Sequence, residues 1–471
     1  MTHTLIIAND FIGPRMAGPS IRAWELCRAL HAKGLAVTLA APGVSAPTSA
    51  QADGRGNAQL PDAPFPIVIF DARGEALRKA AEEADSILMQ GLVLAHFPFL
   101  VSLDKPLIVD IYDPFVFENL AQRSGESMVN RTRSHASDLG ALNDQLLRGD
   151  FFLCASEQQR DYWLGMLTAL GRVNPATYDA DPGLRNLIDV MPFGFPDDPP
   201  RPTGKPVLRG VVPGIGPDDR ILLWGGGIWN WFDPLTLIRA VAEVARSEPR
   251  LRLYFFGSDP PTLYTPKLAM AAKAEALTHE LGLTDRVVFF NHGWVPYAER
   301  INYLFEADLG VSAHLPHVET HFAFRTRLMD CLWTGLPMVV TEGDVLADLV
   351  RTHNLGRTVP AQDVPATAAA LREMLAELDR IGRSGFADRF AAVHDQLTWS
   401  HAAGPLARFA ANPVRAADRP TGEGAAGQHA YVGPTPLTAL PSRALEILRE
   451  GGPLLLAEEA VRYVRWVSRP R

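Results

Sequence analysis

The chain has 471 residues, which is enough for two domains of ordinary size. Apolar residues make up 47% and charged residues 21%, a balance that suits a soluble globular protein, and the formal net charge of -8 argues against a nucleic-acid partner. Three widely spaced cysteines, Cys27, Cys154 and Cys331, exclude a disulfide framework and a cysteine metal cluster and point to a reducing compartment.

The N-terminus runs straight into a strand, with no charged leader segment, and no apolar run reaches the roughly eighteen residues of a membrane span. The expectation is a cytoplasmic protein whose contact with a membrane is peripheral. Thr4–Ala8 reads as a buried strand, Asn9–Ser20 as a loop of turn formers and Ile21–Lys33 as an amphipathic helix. Gly34 ends that helix and Ala36–Ala40 is the next strand. Strand, glycine loop, helix, strand opens a Rossmann-like α/β domain, but the loop lacks GxGxxG spacing, so a dinucleotide site is not expected. Ala41–Pro64 reads as a surface loop. Ile67–Phe70, Ser86–Met89, Leu107–Ile111 and Phe151–Cys154 read as further strands. Leu107–Ile111 leads into Asp113-Pro114. Asp110 and Asp113 then stand either at the mouth of a parallel sheet, where ligands bind, or in an ordinary Asp-Pro turn.

Pro196–Pro206 is a proline-rich linker. Beyond it, Ile221–Trp224 is a strand, Gly225-Gly226-Gly227 a glycine loop and Leu235–Glu248 a helix. Glycines there let backbone N–H groups approach a phosphate, and they also permit tight strand–helix packing. Trp229 and Trp231, flanking Asn230, either stack on a sugar or base or are simply buried. Leu251–Phe256 and Val287–Asn291 read as strands, Tyr297–Ala307 as a helix and Asp308–Ser312 as a strand. His314, His317 and Glu319 lack the spacing of a zinc site, so no metal is expected.

The stretch Glu319–Pro337, ETHFAFRTRLMDCLWTGLP, places Arg325 and Arg327 where a loop meets a helix, with Asp330 about one turn further on. An anion at the helix start and a hydroxyl on the carboxylate describe a nucleoside diphosphate with its ribose. Solvated surface pairs are the plainer reading of such charges, but Phe322, Phe324, Leu328, Leu332 and Trp333 give them apolar company. Met338–Thr341 follows as a strand, then Glu342-Gly343-Asp344, and Ala366–Leu378 and Phe386–Leu397 are helical.

The stretch resembles the donor-site motif of retaining GT-B glycosyltransferases of family 4, specifically a subgroup with an ETxFxFRTRxxDxLWxGLP pattern. The family carries two acids separated by seven residues. Asp330 falls on the second, which holds the ribose, and Phe322 falls on the first, so Glu319 is the replacement that the resemblance offers. The resemblance spans about Met1 to Pro413. It implies an α/β fold of two Rossmann-like domains facing a central cleft, with a C-terminal helical extension. Residues 1–195 would be the acceptor-side domain, 196–206 the linker, 207–396 the nucleotide-sugar domain and 397–413 a helix crossing back. Residues 414–441 read as a flexible linker and 442–471 as an amphipathic helix, either docked on the body or lying on the cytoplasmic face of a membrane.

The resemblance also implies roles. Gly18, in the first loop, faces the cleft. Asp113 lies on the acceptor side. His292 sits in the segment that contacts the base, and Glu342 lies near the donor. Gly226, Gly227, Trp229, Asn230, Trp231, Thr326 and Asp330 line the donor site. The basic pair usual in the second glycine loop is missing, so Arg325 and Arg327 are expected to neutralise the diphosphate. Asp113, Glu319, Arg325 and Arg327 are the expected catalytic set. The substrates would be a nucleotide diphosphate sugar and a cell-surface glycan or lipid-linked acceptor, with retention and with no cofactor. The alternatives are an epimerase or hydrolase acting on nucleotide sugars, or a non-catalytic sugar-nucleotide-binding partner.

Overall fold

The computed structural model describes residues 2–43, 62–258, 268–293, 295–416 and 418, with Pro453, Ala457 and Ala460 beyond them. Apart from those three residues, each helical and exposed, the expected C-terminal helix lies outside the described residues.

Two all-parallel sheets organise the chain. The first holds β1 (His3–Ile7), β2 (Ala36–Pro42), β3 (Ile67–Phe70), β4 (Ser86–Gln90), β5 (Leu107–Asp110), β6 (Phe151–Cys154) and β7 (Ile188–Val190), in the order β3-β2-β1-β4-β5-β6-β7. The second holds β8 (Arg220–Gly227), β9 (Leu251–Gly257), β10 (Val288–Phe290), β11 (Leu309–Ser312), β12 (Met338–Thr341) and β13 (Gly356–Val359), in the order β10-β9-β8-β11-β12-β13. Every residue of β4, β5, β6, β11 and β12 is buried. Short continuous apolar runs of this kind suit strands covered by helices on both faces. In both sheets the strand order reverses at the first strand, beside β4 in one and β11 in the other. A crevice opens at such a reversal, outside the C-terminal strand ends.

Several elements differ from the sequence expectation. The first helix spans Gly18–Ala32, so Gly18 is its opening residue rather than part of a preceding turn, with Pro19 behind it where a missing N–H costs nothing. The helix expected over Tyr297–Ala307 is Arg300–Glu306. Tyr297 is drawn off because its backbone N–H donates to Pro14 O of the first domain at 2.8 Å. The 21-residue helix Met128–Arg148 gathers its buried apolar residues in its second half and has little period to read before that.

After the second sheet the chain returns to the first domain. Thr398 bridges to Phe195, Trp399 packs on Phe193 with ring centroids 4.8 Å apart, and Phe409 of the helix Gly404–Ala411 stacks on Phe151 at 4.8 Å. The first residues of the stretch read as a flexible linker are held in place instead. Ala416 N–H donates to Asp150 Oδ1 at 2.8 Å, and Asp418 pairs with Arg172 at 2.9 Å, both side chains almost fully buried.

Candidate active site

A cavity of about 180 Å³ lies between the two sheets, at the C-terminal ends of β1, β8 and β9. The first domain contributes Met16, Ala17 and Gly18, and the second contributes Gly225, Gly226, Gly227, Trp229, Thr326, Arg327, Met329 and Asp330. The glycine loop is the end of β8 itself. Its pairing with β9 shifts register between Trp224 and Gly227, and Gly226 takes a φ of 123°, which only glycine adopts without strain.

Arg327 lies against that distortion. A Cβ on Gly226 would sit 3.9 Å from the Arg327 guanidinium. Arg327 opens the helix Arg327–Thr334, and its Nη2 donates to Gly227 O at 3.0 Å. Its guanidinium carbon lies 3.8 Å from the Phe232 ring centroid and 4.9 Å from that of Trp224. Its Nη1 has no hydrogen-bond partner, and no carboxylate forms an ion pair with it among the described residues. Burial, and next the charge of Arg325, push its pKa down to about 9. A half-buried cation so placed lacks a counter-ion, and it faces a cavity.

Arg325 is placed differently from the expectation that it neutralises phosphate. Its Nη1 and Nη2 donate to Glu319 Oε1 and Oε2 at 2.9 and 2.8 Å, and its Nε lies 3.7 Å from Asp344. Only 4% of its side chain is exposed, against 1% for Glu319 and 2% for Asp344. Two carboxylates already balance Arg325, so it has no charge to offer a ligand, and neither it nor Glu319 lines the cavity. Glu319, expected to stand in for the family's first acid, is thus taken up by Arg325 away from the cavity wall. Phe322, at that acid's place, instead packs on Phe117 and Tyr162 of the first domain at 5.9 and 4.9 Å.

Asp330 does line the cavity. Both its oxygens accept from Arg300 Nε at 3.0 Å. Trp229 lines the cavity and stacks on Trp231, centroids 5.5 Å apart and 6° from parallel, while Trp231 itself is buried. Asn230 is turned away: its side chain accepts from Met270 N–H and donates to Gln122 O, which ties the loop to its surroundings. His292 is exposed beside Ser258 at 3.2 Å, and Glu342 is exposed; neither lines the cavity. In the Glu342-Gly343-Asp344 loop it is Asp344 that has a task, accepting from Leu346 and Ala347 N–H at the helix start.

Asp110 forms a buried pair with Arg22, at 2.7 and 3.0 Å. Asp113 is off the cavity and shares a hydrogen bond with Glu118. Burial first, and then the nearby Glu319 and Asp110 charges, push the Asp113 carboxyl up to about 6, against the lowering effect of the Glu118 hydrogen bond. Burial, and next Asp113, raise Glu118 well above its ordinary range. Among the described residues no group of three or more His, Cys, Asp or Glu is placed to hold a metal ion. Sequence reasoning missed Arg300, Tyr297 and Glu118. Arg300 lies thirty positions before Asp330 on another helix, and no local spacing announces the pair.

Comparison with known proteins fits this arrangement. Residues 219–377 match the family described as "Glycosyl transferases group 1". D-inositol 3-phosphate glycosyltransferase of Nocardia farcinica is 28% identical over 231 residues, covering 48% of this chain and 47% of that protein. The chain thus matches about half the length of that curated relative. The Anabaena protein HepE, solved with UDP and glucose, superposes with a TM-score of 0.58 at 14% identity, over 87% of this chain and all of that one. WaaG, a glycosyltransferase involved in lipopolysaccharide biosynthesis, gives 0.55 at 16% identity over 87% and 98%. Sucrose-phosphate synthase of Thermosynechococcus elongatus gives 0.53 at 18% identity over 87% and 98%. The chain has the GT-B fold, and its whole second sheet lies within the match to glycosyl transferases group 1.

Proposed function

We propose that this protein is a glycosyltransferase that moves a sugar from a nucleoside diphosphate sugar to a cell-surface glycan or lipid-linked acceptor, with retention and without a required metal. The observation that carries this reading is Arg327, a cation with no carboxylate partner among the described residues, beneath the glycine loop at the cavity wall. When the bond between the sugar's C1 and the diphosphate breaks, its electron pair stays with the leaving phosphate oxygen. Arg327 meets that growing charge, and it does so from a partly dehydrated site, where electrostatic stabilisation is strongest. Asp330 holds ribose hydroxyls with the lone pairs that Arg300 leaves free. Trp229, backed by Trp231, offers a flat face to sugar or base. Retention and the acceptor class rest on the family resemblance, and peripheral membrane contact rests on the amphipathic pattern of residues 442–471.

Calorimetric titration with UDP, GDP, dTDP and CMP tests the reading. Binding of one of these is expected, and Arg327→Ala and Asp330→Ala should each weaken it by about 1–3 kcal/mol. Unchanged affinity in both folded variants rejects the assignment. Consumption of the sugar nucleotide with no acceptor required would favour a hydrolase or epimerase instead.

A further inference from the structure

We propose that Tyr297 and Arg300 are positioning residues that carry the seating of the first domain to the Asp330 carboxylate, so that this acid holds its binding orientation only while the two domains are joined. The proposal rests on the donor-site reading of the cavity.

The path is continuous. Glu25 lies in the first-domain helix Gly18–Ala32, whose opening residue lines the cavity, and is 2% exposed. Tyr297 of the second domain donates its hydroxyl to Glu25 Oε1 at 3.1 Å and its backbone N–H to Pro14 O at 2.8 Å. The Arg300 guanidinium carbon lies 3.6 Å from the Tyr297 ring centroid, and its Nη1 donates to Tyr297 O at 2.6 Å. Its Nε holds Asp330.

Each link limits the next. A guanidinium stacked on a ring follows that ring's plane, and here one edge of the ring is pinned by the opposite domain. Arg300 is 8% exposed, so it has little freedom to seek water if the ring moves. Asp330 has a side chain 29% exposed and lines the cavity, and among the described residues Arg300 is the cation paired with it, so its direction depends on where Arg300 points. Glu25 meets the charges of Arg28, at 3.3 Å and itself 43% exposed, and of Arg300, while its side-chain hydrogen bond across the domains is the one from Tyr297. Trp333 flanks Arg300 at 5.3 Å, belongs to the same helix as Asp330, and donates its Nε1–H to Asp198 O of the linker at 3.0 Å, a contact that does not pass through Arg300.

A double-mutant cycle on the full chain tests the path, with affinity for UDP, GDP, dTDP and CMP as the readout. Tyr297→Phe removes only the hydroxyl and should weaken the bound nucleotide about three- to tenfold. In the Asp330→Ala background the same change should add nothing, because the path ends at Asp330. Asp330→Asn, which keeps the shape, serves in the same cycle where Asp330→Ala is poorly folded. Glu25→Gln retains an acceptor oxygen and should bind close to the wild type, whereas Glu25→Ala should match Tyr297→Phe. Independent, additive losses, or no loss in Tyr297→Phe, overturn the proposal and leave the donor site standing. Binding of none of the four nucleotides by the wild type removes the donor-site reading, and the positioning role with it.

Discussion

Arg325 and Arg327 stand two positions apart, yet one is spent on Glu319 and Asp344 and the other faces the cavity without a counter-ion. Their residue type was legible in the sequence; which partner each takes was not, because Gly227 comes from β8 and Asp344 from the loop after β12, while Glu319 pairs with Arg325 rather than Arg327. Asp113 and Glu118 make the same point with carboxyls. Both are raised by burial, so the folded protein holds protons here that the unfolded chain has already released. Stability from this pair is therefore greatest below about pH 4 and falls as pH rises through the Asp113 value of about 6. Glu118→Gln keeps a donor for Asp113 and removes one ionisation. We expect its melting temperature to match the wild type at pH 5 and to exceed it at pH 8. Parallel melting profiles for the two proteins would reject the shared-proton account.

The short helix Val318–Phe322 shows how one element joins the two lobes. Its last side chain enters an aromatic group made by Phe117 and Tyr162, and its last carbonyl accepts from Gln159 Nε2 at 2.7 Å. The same Gln159 nitrogen donates to Tyr112 O at 2.7 Å, so one amide fastens both domains. Phe322→Ala should cost about 1–3 kcal/mol of stability through lost aromatic packing. It should also raise the radius of gyration in solution scattering. An unchanged melt and an unchanged radius would show that the ring is not a joint. The sequence placed an apolar residue where the resembling family has an acid. It held no sign that the ring turns to the other domain, since that contact spans about two hundred positions.

Across the whole molecule, the chain's return to the first domain depends on a close approach. A Cβ on Gly194 would lie 2.9 Å from both Trp399 Cδ2 and Trp399 N, and the ring is buried against Phe193. Gly194→Ala should therefore destabilise the protein by about 1–3 kcal/mol, because backbone cannot step aside as a flexible side chain can. Denaturant melts of wild type and variant measure this, and a neutral result would mean that the crossover shifts freely. The match to glycosyl transferases group 1 ends at residue 377, before this return, so family likeness by itself leaves the joint undescribed.

The sequence by itself determined the two parallel sheets, because short buried apolar runs alternating with amphipathic helices admit few other arrangements. It also set Thr326, Arg327 and Asp330 close together in one stretch, and all three line the cavity. What only the tertiary structure decided is which of the charges there are free. Charges are settled by partners within a few ångströms, and Glu319, Asp344, Arg300 and Gly227 reach these residues from separate elements. Periodicity reports the face that a residue occupies, and pairing across domains leaves no period to read.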